Sequence, residues 1–169
     1  MDKPGKSRRG FVIATLELER GARLGVCPLP GRYSPLEQDL ATIMNWGPVA
    51  VLSMTEREEM EKFGSWVLGD LLTERGVRWM HLPIRDYSGP SGDSASQWEA
   101  FSPQLHKVLD AGGGILLHCR GGVGRSGMIA LRLMVDRGSD PDEALKRLRA
   151  VRPGAVETDA QRLWAQKRG

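Results

Sequence analysis

Apolar residues along this chain fall into short runs of two periodicities, punctuated by glycine and proline. Residues 11–18 alternate, with Phe11, Ile13 and Thr15 on one face, which predicts a strand. Residues 24–26 form a second short apolar piece, ended by the turn-rich Cys27-Pro28-Leu29-Pro30-Gly31. Residues 48–53 and 114–118 are apolar almost throughout, as strands covered on both faces of a sheet require. A further strand is predicted over 77–84. Helical patterns lie between and after these runs. One starts at Ser34-Pro35, read as a cap followed by proline in the first turn, and runs to about residue 45. Others cover 56–75 with a break near Gly64, 94–110 with a kink or restart at Pro103, and 126–137. The last two run from an Asp140-Pro141 cap to about 151 and over 157–167. This order predicts a single α/β domain, residues 1–169, with a central, mostly parallel twisted sheet flanked by helices. Residues 1–10 are expected to form a flexible N-terminal tail.

Composition narrows the function classes. At 40% hydrophobic and 27% charged residues, the 169-residue chain can bury a sizeable core and does not read as disordered. A net charge of +3 is too small and too scattered for a nucleic-acid surface, so no nucleic-acid partner is expected. No apolar run approaches the roughly 18 residues of a membrane span, and Glu17 and Glu19 interrupt any signal-like stretch near the N-terminus. With two cysteines there is no disulfide framework, which points to a reducing, cytoplasmic setting. His81 and His106 lack the paired spacing of a metal site. No metal or cofactor is implied, and a monomer is expected.

The informative stretch is residues 114–127, GILLHCRGGVGRSG. Cys119 ends a buried strand, and Arg125 follows six positions later, just ahead of the predicted helix. Gly121, Gly122 and Gly124 allow the backbone N–H groups of Arg120, Gly121, Gly122, Val123, Gly124 and Arg125 to converge on one point, where the helix dipole adds positive potential. Such a phosphate-binding loop, between a buried strand and a helix N-terminus, cradles a tetrahedral dianion, with Arg125 offering a two-point fork. The same field stabilises a thiolate at Cys119, a nucleophile aimed at phosphorus. Ser126 is placed to donate a hydrogen bond to that sulfur when it leaves, and His118 to brace the loop rather than act as a base. Gly122-x-Gly124-x-x-Gly127 also matches a dinucleotide fingerprint, but another helix follows where a second strand ending in an acid is needed.

His118-Cys119-x5-Arg125-Ser126 resembles the signature of the cysteine-based protein tyrosine and dual-specificity phosphatases. Residues 82–90 (LPIRDYSGP) look like that family's general-acid loop, with Asp86 in the acid's place. Cys27-Pro28-Leu29-Pro30-Gly31, Arg152-Pro153-Gly154 and Gln161 are similar to segments of the cyclin-dependent kinase-associated phosphatase subgroup. The resemblance implies metal-independent hydrolysis of phosphotyrosine, and of phosphoserine or phosphothreonine, in a phosphoprotein substrate through a phosphocysteine intermediate. Asp86 would protonate the leaving oxygen, and Gln161 would hold the attacking water. Other readings stay open: Asp86 as a solvated carboxylate with Asp93 as its substitute, Gln161 on an outer helix face, Arg120 as mere rim. So do a phosphoinositide or small phosphate-ester substrate, and a non-catalytic phosphoprotein-binding module. Cys27 reads as a partly buried turn residue, residues 56–59 as a solvated helix start, and Arg147, Arg149 and Arg152 as solvent faces.

Overall fold

The computed structural model describes residues 10–167. Strands β1 (Ala14–Glu17), β2 (Arg23–Cys27), β3 (Ala50–Ser53), β4 (Arg78–His81) and β5 (Gly114–His118) form one sheet in the order β1-β2-β5-β3-β4. Only the β1–β2 pair is antiparallel. The central strand β5 is buried at every residue, so its apolar run needs no polar alternation. Its side chains divide by parity. Ile115 and Leu117 join Leu24, Val26 and Leu52 in a core against α4 (Asp93–Asp110), α5 (Gly124–Asp136) and α6 (Pro141–Val151). Leu116 and Val51 face the other way, into a core with α1 (Leu36–Trp46), α2 (Arg57–Lys62) and α3 (Leu68–Glu74). A last helix, α7 (Asp159–Gln166), packs on α5.

Several boundaries differ from the sequence reading, each for a local reason. The first strand starts at Ala14 rather than residue 11, because β2 offers partners only from Val26 back to Arg23; Phe11 and Ile13 instead pack on the α1 side of the sheet. Ser34 does not cap α1. Pro35 stands at the N-cap, and the Ser34 hydroxyl binds the buried Asp39 carboxylate, which also accepts the Gly31 amide at 2.8 Å. Helix α4 passes through Pro103 without a break. Helix α5 opens at Gly124, two residues early, because the Val123 carbonyl already accepts the Gly127 amide at 3.1 Å. Asp140 caps α6 as expected, accepting the Glu143 amide at 3.0 Å. All but one residue of the expected N-terminal tail lie outside the described residues. No described helix is long and apolar enough to cross a membrane.

Parallel pairing brings the carboxyl ends of β2, β3 and β5 to one edge, with Cys27 and Ser53 both in register with His118. The loop that follows β5 therefore starts among three strand ends. Because this edge rests on the β5 core, Leu117→Ala is expected to cost about 2–5 kcal/mol in urea denaturation. Asp140→Ala, at a peripheral cap, should cost about 1 kcal/mol.

Candidate active site

Residues 119–123 leave the sheet and enter α5 through backbone that is tied on its outer side. The Arg120 carbonyl accepts from the Leu29 amide at 3.2 Å and from Arg32 at 3.0 Å. Arg152 donates to the Gly121 and Gly122 carbonyls at 3.0 and 2.8 Å, and the Val156 amide donates to the Val123 carbonyl at 3.2 Å. In a trans peptide the next N–H points opposite its carbonyl. With four carbonyls held outward, the amides from Gly121 to Gly124 turn inward. Gly122 has φ +69°, and a Cβ there would lie 2.5 Å from the Cys27 carbonyl carbon, so no other residue fits. Arg152, half-buried, is thus no solvent-facing residue, whereas Arg147 and Arg149 are exposed as expected and use their guanidinium ends on nearby carbonyls. Arg149 holds the Ala155 and Val156 carbonyls, and Arg147 the Glu17 carbonyl.

Cys119, only 3% exposed, sits at the base of this loop, and the Ser126 hydroxyl reaches its Sγ at 2.8 Å. His118 is fully buried beneath it. Its Nε2 meets the Ser53 hydroxyl, whose oxygen also accepts the Trp79 indole N–H at 2.8 Å. The Cys119 carbonyl can only accept, so the proton of the neutral imidazole sits on the Nδ1 that faces it, and Nε2 accepts from the Ser53 hydroxyl. Nδ1 then donates to the Cys119 carbonyl at 3.3 Å. A histidine on β5, held from β3 by Ser53, thereby fastens the cysteine's own backbone.

Arg125 is 1% exposed, and its surroundings decide which edge of the guanidinium is free. Nη1 donates to Glu59 Oε2 at 2.8 Å and to the Ile84 carbonyl at 3.0 Å, and Nη2 to Glu59 Oε1 at 2.7 Å. Nε has no hydrogen-bond partner, though Asp86 Oδ1 lies 3.4 Å away. Five N–H groups minus these three leave Nε–H and one Nη2–H side by side. Burial pushes Arg125 down, but the Glu59 hydrogen bonds and charge outweigh it and hold the group above its ordinary value. For Glu59 burial pushes up, and the Arg125 bond with the Glu56 amide brings the carboxyl below its usual range. The sequence reading missed Glu59, which it placed on a solvated helix start. Its capping box with Glu56 is legible locally, whereas a partner 66 positions away leaves no spacing signal.

Asp86 lies within reach of Arg125, on a loop in which the exposed Tyr87 adopts φ +63° and donates its amide to Asp86 Oδ1 at 2.9 Å. Thr158 at the start of α7 holds the Tyr87 carbonyl at 3.1 Å. Asp93, the substitute acid, is exposed in the first turn of α4. Gln161 is fully buried, not on an outer face. Its Oε1 accepts the Glu157 and Thr158 amides at 3.0 and 3.3 Å, leaving Nε2 as its one uncommitted polar atom. Glu157, also missed, holds its carboxylate against Gly124, where an added Cβ would lie 2.3 Å from its Oε1. The Arg120 guanidinium lies over the Phe63 ring, 5.7 Å from its centroid. Cys27 is fully buried at the end of β2, and that burial, with Cys119 nearby, pushes its thiol well up.

Residues 26–139 match the family model described as "Polymorphic toxin system, DSP-PTPase phosphatase". Cyclin-dependent kinase inhibitor 3 of Mus musculus is 33% identical over 145 residues, covering 82% of this chain and 67% of that protein. Its Homo sapiens counterpart is 32% identical over 146 residues, with coverages of 82% and 68%. A crystal structure of kinase-associated phosphatase, with its catalytic-site cysteine replaced by serine, aligns at a TM-score of 0.80 and 26% identity over 94% of this chain and 93% of that one. The active form of Tk-PTP aligns at 0.65 and 28%, over 90% and 95%. The chain belongs to the dual-specificity protein phosphatase family and is an enzyme of that class.

Burial holds the His118 imidazole at about 4, below its ordinary value near 6.5. Between those values the unfolded chain binds a proton that the folded chain does not, so stability is full above pH 6.5 and falls as pH drops through the window. The loss reaches about 3 kcal/mol at pH 4. Urea midpoints at pH 7 and pH 4.5 should therefore differ, and His118→Gln should remove that share of the difference. An unchanged pH slope in the variant would mean another group carries it.

Proposed function

We propose that this chain hydrolyses phosphotyrosine, and phosphoserine or phosphothreonine, in proteins through a phosphocysteine intermediate. The observation that carries this reading is the pairing of a buried Cys119 sulfur, 2.8 Å from the Ser126 hydroxyl, with a buried Arg125 whose Nε has no hydrogen-bond partner and whose Nε–Nη2 edge faces Asp86. The amides from Arg120 to Arg125 and that edge would hold the three non-bridging phosphoryl oxygens. Cys119 Sγ attacks phosphorus as the bond to the leaving oxygen breaks, and Asp86 gives that oxygen its proton. Water then attacks phosphorus, the S–P bond breaks, and Asp86 takes the water's proton while Ser126 stabilises the departing thiolate. Gln161 would direct that water through Nε2 alone, since its carbonyl caps α7. His118 keeps the loop backbone in place. Protein substrates are supported by the relatives' names, which refer to a kinase inhibitor and a kinase-associated phosphatase. The reading takes the chain as one cytoplasmic, monomeric phosphatase domain that needs no metal.

Assays in EDTA with phosphotyrosine and phosphothreonine peptides test it. Cys119→Ser should abolish turnover yet retain vanadate binding, because a hydroxyl does not ionise near neutral pH. Asp86→Asn should slow phosphotyrosine hydrolysis by roughly 10²–10⁴-fold, and slow an aryl phosphate with a more acidic phenol much less. Substantial turnover by the serine variant would place the nucleophile elsewhere.

A further inference from the structure

Phe63, the residue that ends α2, lies half-buried with three cationic heads around its ring. Arg32, Lys62 and Arg120 stand 5.9, 5.6 and 5.7 Å from its centroid. With each head within about 6 Å of one ring, no two are more than about 12 Å apart, and their like charges gather positive potential there. Among the described residues none of the three has an ion-pair partner. The acids around them are committed elsewhere. Glu59 holds Arg125, Asp39 holds the Gly31 amide and Ser34, and Glu61 holds Arg57 at 2.7 Å. Arg32 is further fixed by its bond to the Arg120 carbonyl at 3.0 Å and by the Tyr33 ring, 4.8 Å from its guanidinium carbon. Arg120 directly follows Cys119, so the cluster adjoins the cradle.

We propose that Arg32, Lys62 and Arg120 form a second anion site, which reads a phosphate or carboxylate that a substrate peptide carries beside its scissile phosphoresidue. The proposal rests on the phosphoprotein reading above. Successive residues of an extended peptide are about 3.3 Å apart, so residues flanking the scissile one would lie along the rim of the loop, where Arg120 follows Cys119. A phosphate there brings a charge near −2 and several acceptor oxygens to two guanidinium forks and an ammonium. Tyr33 and Tyr87, 40% and 60% exposed, add aromatic surface for flanking side chains.

The test compares kcat/KM of the full chain for four probes. These are p-nitrophenyl phosphate, a phosphotyrosine peptide with neutral flanks, the same peptide with an adjacent phosphothreonine or glutamates, and a short-chain phosphoinositide bisphosphate. The acidic peptides should be preferred over the neutral one by roughly tenfold, with the preference shrinking in 0.5 M salt. Lys62→Ala should reduce that preference by about two- to fivefold, and Lys62→Glu by more, with p-nitrophenyl phosphate turnover unchanged. Equal kcat/KM for acidic and neutral peptides, or a preference untouched by Lys62→Glu, would overturn the second site while leaving the phosphoprotein reading intact. Turnover of p-nitrophenyl phosphate with no peptide hydrolysed would sink both. A preference for the phosphoinositide that Lys62→Glu abolishes would assign the cluster to a lipid headgroup and overturn the peptide proposal.

Discussion

A guanidinium that is 1% exposed has to be neutralised and oriented where it sits, and in this chain Glu59 does both for Arg125. Removing either partner of such a pair leaves an uncompensated buried charge, so the two depend on each other. The pair also draws together distant parts of the fold. Glu59 comes from α2, Arg125 from α5, and the Ile84 carbonyl from the stretch leading to Asp86. One end of the guanidinium is saturated by these contacts, and the other faces Asp86. The direction of the free edge is therefore a consequence of packing and does not depend on any ligand.

The loop around that edge is held by the same logic. Its carbonyls are occupied from outside by Arg32, Arg152 and the amides of Leu29 and Val156, which turns its N–H groups inward. Beneath it, His118, braced by Ser53 with Trp79 on the same hydroxyl, donates from Nδ1 to the Cys119 carbonyl and so fastens the loop's first residue. A preorganised set of donors of this kind stabilises developing charge without reorganising when the charge appears.

How much of this was legible in the sequence follows from the range of each interaction. Buried parallel strands write themselves as unbroken apolar runs, so β3 and β5 were readable, and with the alternating helices they gave the α/β architecture. The cysteine loop was legible because its residues are contiguous and glycine has to stand at Gly122 for steric reasons. Strand ends were read too long where pairing depends on a partner's length, as at Ala14. Glu59 and Arg152 read as surface residues, because a charge in or beside a helix looks the same whether it meets water or a partner 30 or 66 positions away. Gln161 was legible as a candidate to hold the attacking water, but its capping of α7, which spends its carbonyl oxygen, depends on the helix start and was not.

If Glu59 and the Ile84 carbonyl hold one end of Arg125, the Nε–Nη2 edge alone is left to meet a phosphoryl group. A crystal structure of the chain with vanadate bound at Cys119 tests it most directly. The account predicts that Nε and Nη2 each contact a different vanadate oxygen while Nη1 and Nη2 stay on Glu59 within hydrogen-bond distance. An Arg125 that leaves Glu59 and binds vanadate through Nη1 would contradict it.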